Sequence, residues 1–410
     1  MLLLRYVIRS GWLEAFESAL PDGTGVDDAA FRGAPWTAKR CCGERRDPLS
    51  QTRGSFGVFE LVRLDADADA DALALAGRVQ QLSLGARNGA APPGETAVAR
   101  VADASTRFAH LASKVELAKW VRRRPPTEPD VCPASGWLRW DAFEHCALEA
   151  FLAHGGEEGA EFLREVSPER PWVLKRDGAS GGKGVCFVSS PEDVFREVEQ
   201  GRELEEALPF LDERRGGVAN WAAQRHIDAP LLLLGGHKCH LRAYVLSVRR
   251  RAFVYRNFEV RIAPEPWDPD FGDLGRHITN GGGSEAHHER RFLADEFPEL
   301  RAARAALPEF LASVVSAPHS RETDELDASW TPAAVMGLDI MVDAVSGRLH
   351  LLEANHSPAS PPFDELSRFG RHVRRFAKNA VALLVTFAAS PDEPSATAGA
   401  FHFFEVVGRG

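Results

Sequence analysis

Two acidic residues lie inside apolar segments. Val335–Asp343 reads V-M-G-L-D-I-M-V-D and Leu349–Asn355 reads L-H-L-L-E-A-N, so Asp339 and Glu353 are charges among side chains that favour burial. Such charges are costly unless they are paired or bind a metal. The segments read as two strands joined by a turn at Ser346-Gly347, a hairpin that sets Asp339 beside Glu353. The two-residue strand period puts Glu353 and Asn355 on one face, and Asp343 falls in the turn. Two carboxylates and an amide oxygen are hard donors suited to Mg²⁺. The structural alternative pairs both acids with arginines.

A cationic group stands on another strand. Lys238, His240 and Arg242 alternate with Cys239, Leu241 and Ala243, which puts the three polar side chains on one face and core-like side chains on the other. The stripe is compatible with plain solvent exposure. A neighbouring strand carrying Arg261 would turn it into a rigid cationic surface suited to phosphates and a carboxylate.

The third group is a glycine-rich loop, Lys175-Arg-Asp-Gly-Ala-Ser-Gly-Gly-Lys-Gly184, between two short apolar runs. Glycines let backbone N–H groups approach phosphate oxygens, and Lys175 and Lys183 add charge. The loop is not a Walker P-loop, because Gly184 stands where Ser or Thr would hold Mg²⁺. A strand–loop–strand flap over a nucleotide and a plain surface hairpin are equal readings of it.

These groups need elements to hold them. Trp172–Leu174 and Val185–Val188 read as the strands flanking the loop, and Ser190 with Pro191 opens a helix. Cys239–Val248 and Ala252–Ile262 read as strands joined through Arg249–Arg251. Ser113 and Glu116 fit a capping box for a helix through Val121, stopped by Pro125 and Pro126. Met1–Ser10 reads as a first strand and Arg368–Leu384 as a helix. Asp65–Asp71 reads as an acidic linker or solvated helix start, Gly85–Gly94 as a loop, and Phe401–Phe404 as an apolar end that packs back on the core.

Composition narrows the function class. In 410 residues, 44% hydrophobic and 26% charged content is enough for a sizeable core and two or three domains. The apolar runs are short, which predicts no membrane helix, and the N-terminus lacks a secretory core. A net charge of −10 argues against a general nucleic-acid binder. Basic residues still cluster at Arg122–Arg124, Arg249–Arg251, Arg290–Arg291 and Arg371, Arg374 and Arg375, either as solvated faces or as a rim for an acidic partner. The six cysteines have no framework spacing, with Cys41 and Cys42 adjacent, and read as reduced thiols of a cytoplasmic protein.

The order Lys175…Gly-Gly-Lys-Gly184…Gln224-Arg-His-Ile227…Lys238-x-x-x-Arg242…Arg261…His277-Ile-Thr-Asn280…Asp339…Glu353-x-Asn355-x-Ser357-Pro358 resembles the tubulin–tyrosine ligase-like family of ATP-grasp ligases. The resemblance is strongest over residues 106–385, with weaker similarity upstream at Gly43-Glu-Arg45 and Leu111-Ala-Ser-Lys114. It implies a mixed α+β and α/β architecture. A smaller N-terminal α/β substrate-recognition domain (1–105) would precede a central lobe with the flap (106–222), a C-terminal lobe with the metal and substrate site (223–388) and a tail (389–410). ATP would lie between the two sheet-bearing lobes.

The same resemblance implies roles. Lys114, Lys175, Gly181, Gly182, Lys183 and Gly184 would hold phosphates. Gln224, Arg225, His226 and Ile227 would form the adenine hinge, and Lys238, His240, Thr279 and Asn280 would line the nucleotide site. Arg242 and Arg261 would bind the γ-phosphate and the acceptor carboxylate, and Asp339, Glu353 and Asn355 would hold Mg²⁺. His240 departs from the family, which has Asp there. The resemblance implies a monomeric cytoplasmic ligase, at microtubules or a cilium, that joins an amino acid to a tubulin tail, with tyrosine slightly favoured. A ligase for small peptides or metabolites, and a non-catalytic relative that binds nucleotide or tubulin, remain as alternatives.

Overall fold

The structure is a computed structural model. It describes residues 2–7, 25–27, 58–64, 95–103, 111, 113–125, 130–138, 148–153, 158–177, 179, 182, 184–207, 220–248, 251–279, 290–315, 331–356, 371–373, 375–377, 379–380, 383–384 and 402–406.

In chain order the elements are β1 (Leu2–Val7), β2 (Gly25–Asp27), β3 (Val58–Leu64), β4 (Glu95–Asp103), α1 (Lys114–Arg123), β5 (Ser135–Leu138), α2 (Leu148–Ala153), β6 (Trp172–Arg176), β7 (Val185–Val188), α3 (Pro191–Ala207) and β8 (Trp221–Arg225). There follow β9 (Leu232–Leu233), β10 (His237–Val248), β11 (Arg251–Tyr255), β12 (Glu259–Pro266), β13 (Arg290–Leu293), α4 (Arg301–Val315), β14 (Thr331–Val342), β15 (Leu349–His356) and β16 (Phe403–Val406).

They form a mixed α/β molecule with two sheets. The smaller, in the order β5-β8-β6-β7, is antiparallel throughout. The larger is built on β10, the longest strand together with β14, and the two pair antiparallel from Leu241↔Ile340 to Val248↔Ala333. The strands β1 to β4 extend this same sheet, because β4 pairs parallel with β14 at Thr331↔Val101. Antiparallel pairing with a mixed helical cover is consistent with an ATP-grasp-like fold.

The local signals mostly hold. Ser113 caps α1 by accepting from the Glu116 amide at 3.1 Å, but only half of the expected capping box forms. The Glu116 carboxylate is taken instead by Lys119 at 2.6 Å, one turn on. Ser190 caps α3 by accepting from the Asp193 amide at 3.1 Å. The described residues between 371 and 384 are helical.

The strand expected over Ala252–Ile262 divides into β11 and β12. Both lie along the same edge of β10, β12 against its first half and β11 against its second. From Val245↔Val254 to Arg242↔Glu259 the partner chain advances five residues while β10 advances three, so the register slips by two and residues 256–258 interrupt the strand. Arg251 belongs to β11, opposite Val248. Phe403 is fully buried, and β16 pairs with β11, so the Phe-rich end packs on the core as its composition predicts.

The main core lies on one face of the large sheet, where Leu241, Ala243, Val245, Val260, Ile262, Met336 and Leu338 pack beneath α4 residues such as Leu307 and Leu311. A second core under the small sheet holds Phe151, Phe162, Trp172 and Trp221. Among the described residues no helix is long and apolar enough to cross a membrane. Cys132, Cys186 and Cys239 are free thiols. Cys41, Cys42, Asp65–Asp71, Gly85–Gly94, Arg249, Arg250 and Arg374 lie outside the described residues.

Candidate functional site

The two sheets meet along a cleft of about 840 Å³, counted with its open mouth. One wall comes from the β6–β7 hairpin and the end of β8, the other from β10, β14 and β15.

The flap side is tied down through α1. Asp177 accepts from the Ser113 hydroxyl and the Lys114 amide, both at 2.8 Å, and Lys114 Nζ donates to the Ala179 carbonyl at 2.6 Å. Gly184 has φ +67°, and a Cβ there would stand 2.8 Å from the Arg176 Cβ, so glycine is needed on both counts. Gly182 lines the cleft, whereas Gly181 and Lys183 lie outside the described residues. Lys175 on β6 donates to the Gln224 side-chain oxygen at 2.5 Å and to the Leu352 carbonyl on β15 at 3.1 Å, which links the two sheets across the cleft.

The expected hinge follows. Gln224, Arg225, His226 and Ile227 all line the cleft. Arg225 is exposed and the other three are buried. The His226 ring lies 3.3 Å from Asp228 and packs edge-on against Phe187 and Phe271.

On β10 the stripe Lys238, His240 and Arg242 is not solvated. All three are buried, because β10 has neighbours on both edges and this face forms the cleft floor. Lys238 Nζ sits 5.8 Å from the centre of the Phe187 ring, a cation–π distance. His240 Nδ1 contacts the Thr279 hydroxyl, and its Nε2 is 3.4 Å from Asp339 Oδ1. Asn280 lies outside the described residues.

The acids lie as the hairpin reading requires. Asp339 and Glu353 are register partners, and Asp343 caps the turn by accepting from the Val345 and Ser346 amides at 3.0 and 2.7 Å. Asn355 Nδ2 lies 3.3 Å from Asp339 and 3.2 Å from Glu353. Two carboxylates and an amide thus converge, and turning the amide would offer a third oxygen, so the donor set fits Mg²⁺. Among the described residues no group of three or more His, Cys, Asp and Glu side chains gathers as a metal site, here or elsewhere; this set consists of two carboxylates and an amide.

Arg242 departs from its expected place. Its Nε and Nη2 both engage Asp339, the latter at 2.6 Å, so the guanidinium is committed to an acid and does not line the cleft. Arg261 is buried beside His240, its register partner, and 3.6 Å from Glu259.

Charge states follow from burial. Desolvation pushes Lys175 and Lys238 down to about 8. Glu353 works against this at Lys175, and Lys175 itself adds to it at Lys238. Burial pushes His226 down to about 3, helped by Lys238 and His277, so the ring is neutral. Burial alone would raise Asp339, but Arg242 and then His240 outweigh it and hold the carboxyl well below its usual range. Burial likewise opposes the charge on Arg242, and Asp339 overcomes it.

Several lining residues escaped the sequence reading. Phe187 stacks on Phe271 with ring centres 4.8 Å apart, joining the two walls, and Met341 and Leu352 give the cleft an apolar surface. Period two from Asp339 would have found Met341. Phe271 lies in a loop, where no periodicity reaches.

Residues 150–294 match the family model described as the Tubulin-tyrosine ligase family. No curated protein matched the chain. The matched span holds the flap, the hinge, β10 and β12; α1, β14 and β15 lie outside it.

Proposed function

The chain is tubulin-tyrosine ligase-like over residues 150–294, and on that premise we propose that it is an ATP-dependent carboxylate–amine ligase with an acidic protein tail, most simply a tubulin tail, as acceptor. One observation carries the proposal. Lys175 and Lys238 from the two sheets face the same cleft as Asp339 and Glu353. Cations for phosphates and hard oxygen donors for a divalent ion are the two requirements of a nucleotide whose terminal phosphate is to be transferred.

In this reading the adenine lies against Phe187, Met341 and Leu352 beside the hinge, and Lys114, Lys175 and Lys238 hold the phosphates. Asp339, Glu353 and Asn355 would hold Mg²⁺, which when bound neutralises charge between phosphate oxygens. The acceptor carboxylate takes the γ-phosphoryl group and ADP leaves. The amine of an amino acid then attacks the acyl carbon, phosphate departs, and an amide remains. No protein nucleophile is needed; positioning and fixed charge lower the barrier. Tyrosine is the first amine to test, and the cytoplasm near microtubules is the setting proposed for the reaction.

The test is ADP release with Mg-ATP, with and without tubulin, against the pool of amino acids. Release that needs both tubulin and one amino acid supports the proposal and names the substrate. Tubulin-independent release with a small peptide favours the metabolite-ligase alternative. Nucleotide binding without turnover under every condition would sink the enzymatic reading. A regulatory module would then stand, with Asp339 committed to Arg242 as its structural rationale.

A further inference from the structure

One row of charge crosses four strands. Glu259 on β12 is the register partner of Arg242 on β10, Arg242 of Asp339 on β14, and Asp339 of Glu353 on β15. Register partners share a sheet face, so Arg242 stands between two carboxylates. On one side its Nε and Nη2 engage both oxygens of Asp339, and the Asn355 amide lies 3.3 Å from Oδ2. His240 Nε2 adds a contact at 3.4 Å to Oδ1. A divalent ion approaching Asp339 from the cleft therefore meets a carboxylate surrounded by donors and a buried guanidinium of the same sign. Displacing that guanidinium without a new partner would strand a buried charge.

The other side offers a partner. Glu259 is fully buried, and its Oε1 accepts the Tyr244 hydroxyl, which fixes the carboxylate. Its Oε2 has no hydrogen-bond donor among the described residues, and the Arg261 guanidinium stands 3.6 Å from it, beyond hydrogen-bond distance. Burial opposes the charge on Arg242, Asp339 does most to uphold it, and Glu259 adds to this. We propose that Glu259 is a positioning residue, a second seat for the Arg242 guanidinium when a divalent ion takes Asp339. The proposal rests on the reading of Asp339 as a metal ligand. Asp339 and Glu353 are then left to the ion and Glu259 to the guanidinium, so each cation keeps a carboxylate.

Mn²⁺ is the probe, followed by electron paramagnetic resonance on the full chain, alone and with the β,γ-imido analogue of ATP. Glu259→Gln keeps the shape and can still accept the Tyr244 hydroxyl. It should nonetheless weaken Mn²⁺ binding by about tenfold or more, the scale of one charge-assisted contact. Asp339→Asn should abolish binding. Urea unfolding in EDTA separates a purely structural role for Glu259. Glu259→Gln should cost more stability in an Asp339→Asn background than in wild type, because Arg242 then depends on Glu259 for its charge partner. Mn²⁺ binding by Glu259→Gln equal to wild type, or an equal stability cost in both backgrounds, would overturn the second seat and leave Asp339 as a ligand. Undiminished Mn²⁺ binding by Asp339→Asn, or none by wild type in either condition, would sink the metal reading and the proposal with it. The metal readout stands on the single variants should the double variant not fold.

Discussion

Arg242 and Asp339 occupy one rung of β10 and β14, both buried, and the guanidinium grips the carboxylate through Nε and Nη2. The pair holds Asp339, which lines the cleft, beside its register partner Glu353, while the guanidinium itself stays out of the cleft. A buried pair adds little net stability over an apolar substitute, yet removing one partner strands a buried charge. Arg242→Leu should therefore cost about 3–5 kcal/mol. Urea unfolding with an unchanged m-value would measure it, and a loss under about 1 kcal/mol would contradict the burial of the pair.

Glu353 is half-buried at the cleft wall and has the Asn355 amide at 3.2 Å. Glu353→Gln keeps the shape and removes a negative charge. Turnover should fall by about 10²-fold or more, the scale of a lost electrostatic contact at the reacting centre, and the Mg²⁺ requirement should rise. Circular dichroism should match wild type. Full activity in this variant would remove Glu353 from the metal set.

Lys175 and Lys238 ionise at about 8 in the folded protein against an ordinary value of 10.5. Below pH 8 both carry the charge that a triphosphate needs; above it the apo protein loses them one after the other. Mg-ATP affinity should be flat up to pH 7 and fall as pH rises through 8 to 9. Calorimetry in buffers of different ionisation enthalpy should detect proton uptake on binding near pH 8.5. The sign for folding is opposite. Between pH 8 and 10.5 the unfolded chain binds more protons at these lysines, so their contribution to stability rises with pH.

His226 behaves differently, because burial lowers it from 6.5 to about 3. Its contribution is fully present above pH 6.5 and is lost as pH falls toward 3, since the unfolded chain takes up a proton that the folded one refuses. From pH 6.5 to 5 this amounts to about 2 kcal/mol at most. Urea midpoints at pH 7 and 5 should differ, and His226→Gln should flatten that difference. An equal pH slope in the variant would assign the acid sensitivity to other groups. Asp339, held below its usual range, adds a loss of the same sign at lower pH.

Much of the site was legible because strand periodicity is rigid. A two-residue repeat with apolar residues between fixes which side chains share a face, so Lys238, His240 and Arg242 and the pairing of Asp339 with Glu353 followed from order alone. Glycine spacing marked the flap, and Ser113 and Ser190 marked their helix starts through hydroxyls that satisfy exposed amides. The fate of Glu116 was not legible, since a capping box and an i,i+3 ion pair compete for one carboxylate at similar energies.

The sequence by itself determined the inventory of this protein: which charges must find partners, which faces are polar, and which loops can approach a phosphate. Tertiary structure alone decided the partners. Arg242 went to Asp339 because β10 and β14 align them, separated by 97 residues of chain, and Phe271, which follows β12 of the large sheet, stacks on Phe187 of β7 in the small one. Arg291 came to stand opposite Arg261 by the register of β13 on β12. Register between distant strands is set by the packing of the whole sheet against its core, and no local pattern encodes it.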